Sequence, residues 1–274
     1  MRAIEETTVL ITGATDGLGR AVAERLAAMG ALVHLHGRDA GRLAATAEAL
    51  GVPAERTHRA DFAALDEVRA LAAELDALPA LHVLVNNAGI GSGAPDERTR
   101  QESRDGYELR FAVNFLAPFL LTQELLPLLR RSAPARIVHV ASLGQAPIDF
   151  ADPQIERGYS GGRAYGQSKL AQITGGFALA GRLDGSGVTV TSLHPATFMP
   201  TKIVLQDRGS ALDELETGVE ATVRLASAPE LEGVTGRFYD RTREARADEQ
   251  AYDGVARERL WMLARELTGA PDVT

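Results

Sequence analysis

Residues 8–19 read TVLITGATDGLG, an apolar run that passes directly into a cluster of glycines. The run Val9–Thr12 predicts a buried β-strand, because aliphatic and β-branched residues follow one another without a charge. The alanine-rich stretch Arg20–Met29 behind the glycines predicts a helix. Glycines permit a tight turn and let a ligand approach the backbone, while a helix N-terminus offers unpaired N–H groups and the positive end of a dipole. This strand, turn and helix therefore predict a cradle for the phosphates of a nucleotide.

Further strand-like runs alternate with helical stretches along the chain. They lie at Leu32–His36, Arg56–Arg59, Leu81–Asn86, Arg136–Ala141, Val188–Leu193 and Gly236–Tyr239. Strands separated by helices pair in parallel through right-handed crossovers, and 274 residues with 45% hydrophobic content can bury one large core. We therefore predict an α/β fold, a single Rossmann-type domain over residues 1–274 with a doubly wound parallel sheet of about seven strands flanked by helices. An amphipathic C-terminal helix is expected around residues 254–268.

The composition argues against several classes of protein. The net charge is −8 and the arginines are scattered among acids, which argues against a nucleic-acid partner. The chain has no cysteine for disulfides or thiolate metal sites, and its isolated histidines lack metal-ligand spacing, so we predict no metal site. We see no charged and apolar leader and no apolar run of membrane-spanning length, so we expect a soluble cytoplasmic protein without a membrane partner.

Tyr165 and Lys169 form the most informative pair of side chains. Of 29 basic residues only Lys169 and Lys202 are lysines, and four residues along a predicted helix place Tyr165 and Lys169 on one face. A phenol that exchanges protons near neutrality needs its pKa lowered from about 10 by about 3 units. An ammonium group about 4 Å away, in an effective dielectric of about 20, supplies the required energy of about 4 kcal/mol. The alternative is an exposed pair on a solvated helix, since this spacing alone is common.

The order of the motifs resembles the short-chain dehydrogenase/reductase family over nearly the whole chain. Thr12–Gly19 resembles its Thr-Gly-x-x-x-Gly-x-Gly turn, and Asn86–Gly89 (NNAG) resembles its motif after the fourth strand. Pro195–Thr201 (PATFMPT) is similar to its Pro-Gly segment near the nicotinamide carboxamide, with Ala196 in place of glycine. The resemblance implies a nicotinamide dinucleotide cofactor, and relatives that commonly form homodimers or homotetramers imply such an assembly here.

Four residues fall where the family keeps its catalytic tetrad, namely Asn114, Ser142, Tyr165 and Lys169. The resemblance implies that Tyr165 gives a proton to a substrate oxygen that Ser142 holds by a hydrogen bond. It also implies that Lys169 makes the phenol more acidic and binds the nicotinamide ribose, and that Asn114 anchors a proton-relaying water. Two alternatives stay open. Asn114 can be a core amide satisfied by a neighbouring helix, and Ser142 can cap a loop at a strand end.

The end of the second predicted strand bears on the choice of cofactor. A ribose with free hydroxyls usually meets a carboxylate there, whereas a 2′-phosphate requires a cation. Arg38 can fork two N–H bonds onto the phosphate, and Gly37 adds no negative charge, so NADP(H) is preferred and NAD(H) is possible. Asp39 weighs against this unless it caps the next helix, and so does Asp16, where many NADP-dependent relatives carry a base. An ordinary surface arginine is the alternative for Arg38.

The remaining cofactor contacts follow from the glycine turn and from the resemblance. Asp61 and Phe62 fall where the family contacts the adenine ring, although Asp61 can also cap a helix, and the paired asparagines of the NNAG motif also suit an ordinary turn. The complete predicted set is Gly13, Thr15, Asp16, Gly17, Leu18, Gly19, Arg38, Asp61, Phe62, Asn87, Ala88, Gly89, Tyr165, Lys169, Pro195, Thr197 and Thr201.

The substrate is indicated by loops. The long loop 143–163 and the segment 164–172 (AYGQSKLAQ) resemble the retinol-dehydrogenase-like branch, whose members often reduce lipophilic aldehydes and ketones. Residues around 198–212 are predicted to form a lid, to which Phe198, Met199, Ile203, Val204 and Leu205 contribute apolar contacts. The same residues can instead form a short amphipathic helix packed on the body of the protein. His194 is expected to be structural.

These features together predict an NADPH-dependent oxidoreductase that interconverts the carbonyl and the alcohol of a small lipophilic molecule. The alternative is a non-catalytic sensor or scaffold that binds NADP(H) on the same fold. Such a protein would be expected to keep the glycine turn and lose the tetrad, and here all four tetrad residues are present.

Overall fold

The computed structural model describes residues 3–93, 97–200 and 212–272. The strands are β1 Thr8–Ile11, β2 Leu32–Gly37, β3 Thr57–Arg59, β4 Val83–Asn86, β5 Ala135–Val140, β6 Val188–His194, β7 Arg237–Asp240 and β8 Arg243–Ala245. The main helices are α1 Gly17–Ala28, α2 Ala40–Leu50, α3 Leu65–Asp76, α4 Leu109–Arg131, α5 Gly161–Arg182, α6 Leu215–Ser227 and α7 Gly254–Thr268.

The strands form one sheet in the order β3-β2-β1-β4-β5-β6-β7-β8. Neighbours from β3 to β7 pair in parallel, whereas β8 runs antiparallel to β7. The strand order reverses direction between β1 and β4, which is the place where doubly wound sheets bind their ligands. The predicted Rossmann-type α/β fold is confirmed.

The edge strand β8 is a departure from the predicted seven strands. Its three residues, Arg243–Ala245, are mostly exposed and include two charged side chains. A short charged edge strand has no apolar alternation for a sequence pattern to reveal, and its charge protects the sheet edge from further pairing. Strand β8 therefore forms because it pairs with β7 in a hairpin, not because of an apolar pattern of its own.

Both faces of the sheet are covered by helices. Val9 and Ile11 point into one apolar cluster with Val22 of α1, while Leu10 points into the other with Leu170 of α5. The alternation follows from the two-residue period of a strand. Because both faces of β1 are buried, the three residues Val9–Ile11 that follow Thr8 are all apolar.

Helix α4, Leu109–Arg131, is long and apolar enough to cross a membrane by length and composition, unlike any other helix in the described ranges. We predicted no apolar run of membrane-spanning length, and by length and composition that prediction is wrong. In the fold, 89% of its most apolar window is buried inside the protein. Packing between α3 and α5 therefore accounts for its apolar surface.

Candidate active site

The glycine turn joins β1 to α1 at the carboxyl edge of the sheet. Gly13 (φ +67°) and Gly17 (φ +48°) lie in the left-handed region that favours glycine. A Cβ added to Gly19 would lie 2.3 Å from both the Gly13 carbonyl oxygen and Asn87 Nδ2, so this position has no room for a side chain. Asp16 caps α1 by accepting a hydrogen bond from the Gly17 N–H at 2.8 Å. The turn thus presents bare backbone and a helix N-terminus, which fits a pyrophosphate.

The second turn, after β4, is bonded directly to the glycine turn. Thr12 Oγ1 accepts hydrogen bonds from the N–H groups of Asn87 and Ala88, both at 3.0 Å. Asn87 Nδ2 donates to the carbonyls of Thr12 at 2.8 Å and Gly13 at 3.2 Å. The Asn87 Nδ2 group therefore shapes the cradle, and contact between the backbone of Asn87–Gly89 and a cofactor stays a prediction. Thr12 has a role that the sequence analysis noted only as the start of a motif.

His36 is a structural link that the sequence analysis missed. Its Nδ1 accepts from the Gly13 N–H at 3.3 Å, so the ring proton is on Nε2, 3.1 Å from the Ala60 carbonyl oxygen. Burial lowers the pKa of His36 to about 4, which keeps the ring neutral at pH 7. The ring stacks on Phe62 with centroids 4.4 Å apart. The Phe62 side chain is therefore used inside the protein, and any contact with adenine falls to its backbone.

Asp61 does not cap a helix, so that alternative is wrong. Helix α3 begins at Leu65, whose N–H donates to Asp105 Oδ2 at 3.0 Å from a loop distant in sequence. Asp61 Oδ1 instead accepts from the Ala63 N–H at 3.0 Å within its own turn. The half-buried carboxylate remains a candidate partner for the adenine amine.

The residues predicted to select the cofactor lie beside the glycine turn. A Cβ added to Gly37 would lie 2.5 Å from Thr15 Cγ2, so the end of β2 can approach the turn only because Gly37 lacks a side chain. Arg38 follows immediately and is exposed to solvent. A 2′-phosphate held at this edge of the turn would therefore lie within reach of the Arg38 guanidinium.

Two carboxylates, of Asp16 and Asp39, and a second arginine, Arg42, lie near Arg38 in the sequence or beside the glycine turn. Asp39 caps α2, which was the alternative left open above, by accepting from the Arg42 N–H at 2.9 Å, and this backbone hydrogen bond is the main cause of its lowered pKa. Arg42 Nη1 lies 4.0 Å from Asp16 Oδ2. Arg42 thus partly offsets the carboxylate that weighed against a phosphate, a contribution the sequence alone did not reveal.

Tyr165 and Lys169 lie on the same face of α5. Lys169 Nζ is 5.9 Å from the centre of the Tyr165 ring and lies over its face. The ammonium donates to the Val140 carbonyl at 2.8 Å and lies 3.4 Å from Gln172 Oε1. Burial lowers the pKa of Lys169 to about 8. The group is therefore mainly charged at pH 7, and its positive field reaches the phenol.

Ser142 follows β5 and meets Tyr165 across Gly144. Its Oγ accepts a hydrogen bond from the Gly144 N–H at 3.0 Å. A Cβ added to Gly144 would lie 3.4 Å from Ser142 Oγ and 3.6 Å from Tyr165 Cε1. The hydroxyl and the ring thus border the same small space, which a side chain at residue 144 would fill.

Asn114 lies in a π-helical turn of α4, Ala112–Leu116, and is fully buried. Its Oδ1 accepts from the Ile90 N–H at 2.8 Å, and its Nδ2 donates to the Ile90 carbonyl at 3.1 Å and to Ser168 Oγ at 2.9 Å. A Cβ added to Gly89 would lie 3.0 Å from Asn114 Oδ1 and 3.5 Å from Lys169 Nζ. Protein groups satisfy the hydrogen bonds of the Asn114 amide, as the core-amide alternative predicted. Asn114 also lies in a π-helical turn, and such turns are frequent at functional sites. Its role in a water relay stays a prediction.

The segment after β6 is held by a separate polar cluster. Thr197 N–H donates to Asp213 Oδ2 at 2.6 Å, and Thr197 Oγ1 lies 3.1 Å from His194 Nε2. Arg241 Nη2 bonds both Thr197 Oγ1 and Asp213 Oδ2. His194 is buried with a lowered pKa, which is consistent with a structural role. Pro195 is buried where β6 ends.

The predicted lid is only partly covered by the structure. Met199 is buried, and its sulfur approaches Gly218 of α6 so closely that an added Cβ there would lie 2.4 Å away. Phe198 has a left-handed backbone conformation, φ +49°. Four predicted residues, Thr201, Ile203, Val204 and Leu205, lie outside the described residues.

Residues 7–209 match the family model described as short chain dehydrogenase. The chain belongs to the short-chain dehydrogenase family. Among curated relatives of this short-chain dehydrogenase, human retinol dehydrogenase 14 is 37% identical over 96% of this chain and 86% of its own length. Mouse polyprenol dehydrogenase is also 37% identical, over 95% of this chain and 83% of its own length. The predicted resemblance to the retinol-dehydrogenase-like branch is confirmed.

Solved structures show the same fold. An uncharacterised protein from Mycobacterium paratuberculosis superposes with a TM-score of 0.78, at 28% identity, over 97% of this chain and 94% of its own. The 3-ketoacyl-(acyl-carrier-protein) reductase from Brucella melitensis, complexed with NADH, has a TM-score of 0.69 at 26% identity, covering 86% and 97%. RhlG from Pseudomonas aeruginosa, in an NADP complex, has a TM-score of 0.70 at 27% identity, covering 88% and 97%. Our chain is thus an NAD(P)-dependent oxidoreductase of this family, and its neighbours include both NADH and NADP complexes.

The fold brings together most of the residues predicted from the sequence of this short-chain dehydrogenase. Gly89, Asn114 and Lys169 meet at one point, and Ser142 meets Tyr165 at the next. The glycine turn lies beside them through the bonds between Thr12 and Asn87. Like Phe62, Leu18 has its side chain buried in the core, in this case against α6, so only its backbone is left for a cofactor.

Proposed function

We propose that the protein is an NADPH-dependent oxidoreductase that reduces a ketone or aldehyde of a small lipophilic molecule to the alcohol, or catalyses the reverse reaction. The observation that carries the proposal is the position of Lys169 Nζ over the ring of Tyr165, with Ser142 across Gly144. Bound NADP(H) would supply or accept the hydride at the substrate carbon. Side chains of the protein would donate the proton and hydrogen-bond to the substrate oxygen.

Tyr165 is the proton donor in this proposal. The charged Lys169 stabilises the phenolate left behind, so the proton moves at a lower cost. Ser142 Oγ already accepts a hydrogen bond from the Gly144 N–H, and this leaves its O–H to donate to the substrate oxygen. Two donors, from Tyr165 and Ser142, would then meet the oxygen on which negative charge develops.

The preference for NADPH is supported by the cations beside the glycine turn. Arg38 is exposed at the end of β2, and Arg42 Nη1 lies 4.0 Å from Asp16 Oδ2. Asp39 is engaged in capping α2, so its carboxylate is directed at backbone N–H groups. A 2′-phosphate would therefore find positive charge here, whereas a ribose hydroxyl would lack the usual acceptor.

Arg38→Ala is expected to weaken NADPH binding by about tenfold or more and to leave NADH binding nearly unchanged. A charge-assisted hydrogen bond is worth about 1.5–3 kcal/mol, and a difference of about 1.4 kcal/mol is tenfold in affinity. Fluorescence titration of both cofactors measures the change. Arg243→Ala, which removes an exposed arginine from the edge strand β8, is the matched control. Equal affinities of the wild-type protein for NADPH and NADH would show that the preference is wrong.

The proposed substrate class rests on relatives and on the surface beside the site. Retinol dehydrogenase 14 and polyprenol dehydrogenase are named for long apolar alcohols. In this chain Leu143, next to Ser142, is 45% exposed, although leucine is usually buried. An apolar substrate would cover this side chain and gain the corresponding burial free energy.

The test of the proposal is NADPH oxidation, screened against hydrophobic aldehydes, cyclic ketones and quinones. We expect turnover of at least one apolar carbonyl compound and little turnover of its short polar homologues. The reverse reaction with the matching alcohol and NADP is measured in parallel. Tight NADPH binding without turnover in either direction would instead favour the sensor or scaffold.

A further inference from the structure

A buried ion pair lies at the start of α4, one helical turn before Asn114. Arg110 is 0% exposed and Glu108 is 1% exposed, and Arg110 Nη1 lies 3.7 Å from Glu108 Oε1. Removing two charges from water is costly unless they are paired and hydrogen-bonded. The hydrogen bonds of the Arg110 guanidinium show which segments the buried pair holds together.

Arg110 binds the loop after β4 at the residues that follow the one bound by Asn114. Arg110 Nε donates to the Gly91 carbonyl at 2.8 Å, and Nη2 donates to the Ser92 carbonyl at 2.6 Å. Asn114, four residues later on the same helical face, binds the N–H and the carbonyl of Ile90. Two side chains thus hold residues 90–92, directly after Gly89, where an added Cβ would lie within 3.5 Å of both Asn114 Oδ1 and Lys169 Nζ.

The same guanidinium also reaches the segment that leads into α5. Arg110 Nη1 donates to Tyr159 Oη at 2.5 Å, and the Tyr159 hydroxyl donates to Glu108 Oε1 at 3.1 Å. Burial and the neighbouring Glu108 raise the pKa of Tyr159 to about 12, so this hydroxyl keeps its proton at neutral pH. Glu108 Oε2 accepts from the Phe111 N–H at 2.6 Å and thereby caps α4.

The two segments also touch directly. A Cβ added to Gly161, the first residue of α5, would lie 2.1 Å from the Ser92 carbonyl oxygen and 3.0 Å from Arg110 Nη2. The loop after β4 therefore packs against the beginning of the helix that carries Tyr165 and Lys169. Arg110 lies at this junction and bonds to both sides.

We propose that Arg110, held by Glu108 and Tyr159, is a positioning residue that fixes the loop 90–92 against the start of α5 and so sets the distance between Gly89 and the Tyr165–Lys169 pair. The inference rests on the proposed oxidoreductase function. Because a misplacement of about 1 Å can cost about 100-fold in rate, loss of this junction lowers turnover without removing any group that exchanges protons. We expect a larger effect on turnover than on cofactor affinity, since the glycine turn and Arg38, which are proposed to bind the cofactor phosphates, do not contact this junction.

Tyr159→Phe is the mildest test, because it removes one hydroxyl from a half-buried ring. We expect kcat to fall about tenfold, with the Kd for NADPH within about twofold of wild type. Tyr107→Phe is the matched control, since Tyr107 is another half-buried tyrosine whose hydroxyl donates to the Leu267 carbonyl at 2.7 Å. The control should lose a similar amount of thermal stability and retain kcat.

The double variant Glu108→Gln/Arg110→Met removes the pair without leaving one buried charge alone. It is expected to lower kcat about 100-fold. Hydrogen exchange of the cofactor-free protein provides a readout that is independent of activity, and backbone N–H groups of residues 89–92 should exchange faster in Tyr159→Phe than in Tyr107→Phe. If the double variant does not fold, kcat and hydrogen exchange of Tyr159→Phe, each compared with Tyr107→Phe, decide whether the positioning role holds.

The outcomes separate the two proposals. An active wild-type protein whose Tyr159→Phe variant matches the control in kcat and in hydrogen exchange would overturn the positioning role alone. A wild-type protein inactive toward every compound in both directions would overturn the oxidoreductase proposal, and the positioning role with it.

Discussion

Tyr165→Phe is expected to lower kcat by about 10²- to 10⁴-fold, the usual contribution of general acid–base catalysis. The change removes only the phenolic oxygen, so the ring continues to pack beneath Lys169 Nζ. Ser142 and Lys169 remain, yet neither can replace a neutral donor of the right acidity at that place. Binding of NADPH should stay within about twofold of wild type, because the cradle around Gly13 and Gly19 is untouched.

The measurement is single-turnover reduction of the best substrate from the carbonyl screen, with NADPH affinity measured by titration. Tyr107→Phe again provides the control for loss of a tyrosine hydroxyl outside the site. Turnover by Tyr165→Phe at a rate near that of wild type would assign proton donation to another group. A loss of NADPH affinity as large as the loss of kcat would indicate a binding role instead.

Lys169→Met is expected to lower kcat by about 10²-fold or more and also to weaken NADPH binding. The variant removes the positive charge that stabilises the phenolate of Tyr165. It also removes the group for which the family resemblance implies a hydrogen bond to the nicotinamide ribose. Lys169→Met should therefore differ from Tyr165→Phe in a raised Kd for the cofactor, measured by the same titration.

The same substitution should change how stability depends on pH. The pKa of Lys169 is about 8 in the folded protein and 10.5 in an unfolded chain, because burial disfavours the ammonium. Between these values the unfolded chain binds a proton that the folded protein does not, so the free energy of unfolding rises with pH. The total rise from this group is on the order of 3 kcal/mol, and below about pH 8 it contributes no slope.

Urea unfolding at about pH 7.5 and about pH 9.5 tests this in the cofactor-free protein. The free energy of unfolding of wild type should rise from the lower to the higher pH by more than that of Lys169→Met, which lacks the titrating ammonium. Lys202→Met, at the only other lysine of the chain, controls for the loss of a lysine as such. Identical changes in wild type and Lys169→Met would show that Lys169 has an ordinary pKa.

Much of the architecture was predictable because its signals are local. The seven parallel strands were found within one or two residues of their observed bounds. The central strands β1, β4 and β5 are buried along nearly their whole length and therefore form largely apolar runs in the sequence. The antiparallel β8 was missed because Arg243–Ala245 carries no apolar pattern. Helix α4 is long and apolar enough to cross a membrane by length and composition, which the sequence analysis did not predict, and Asn114 within it is satisfied by hydrogen bonds that exist only in the fold.

The site shows the same division in finer detail. The sequence indicated Ser142, Tyr165 and Lys169, and the fold brings them together. It did not indicate that His36 braces the glycine turn, or that Arg42 lies beside Asp16. Neither contact has a sequence signature, since each joins segments whose proximity depends on how the strands are ordered.

The sequence by itself determined the features that depend on covalent spacing: the strand, glycine turn and helix at Thr8–Gly19, and the separation of one helical turn between Tyr165 and Lys169. Spacing along a strand or helix sets which side chains share a face, so a pattern suffices. Only the tertiary structure decided that Asn87 closes the glycine turn, that Arg110 joins two loops, and that burial lowers the pKa of Lys169. These properties depend on contacts between segments far apart in the chain and on exclusion of water, and both exist only once the whole core has formed.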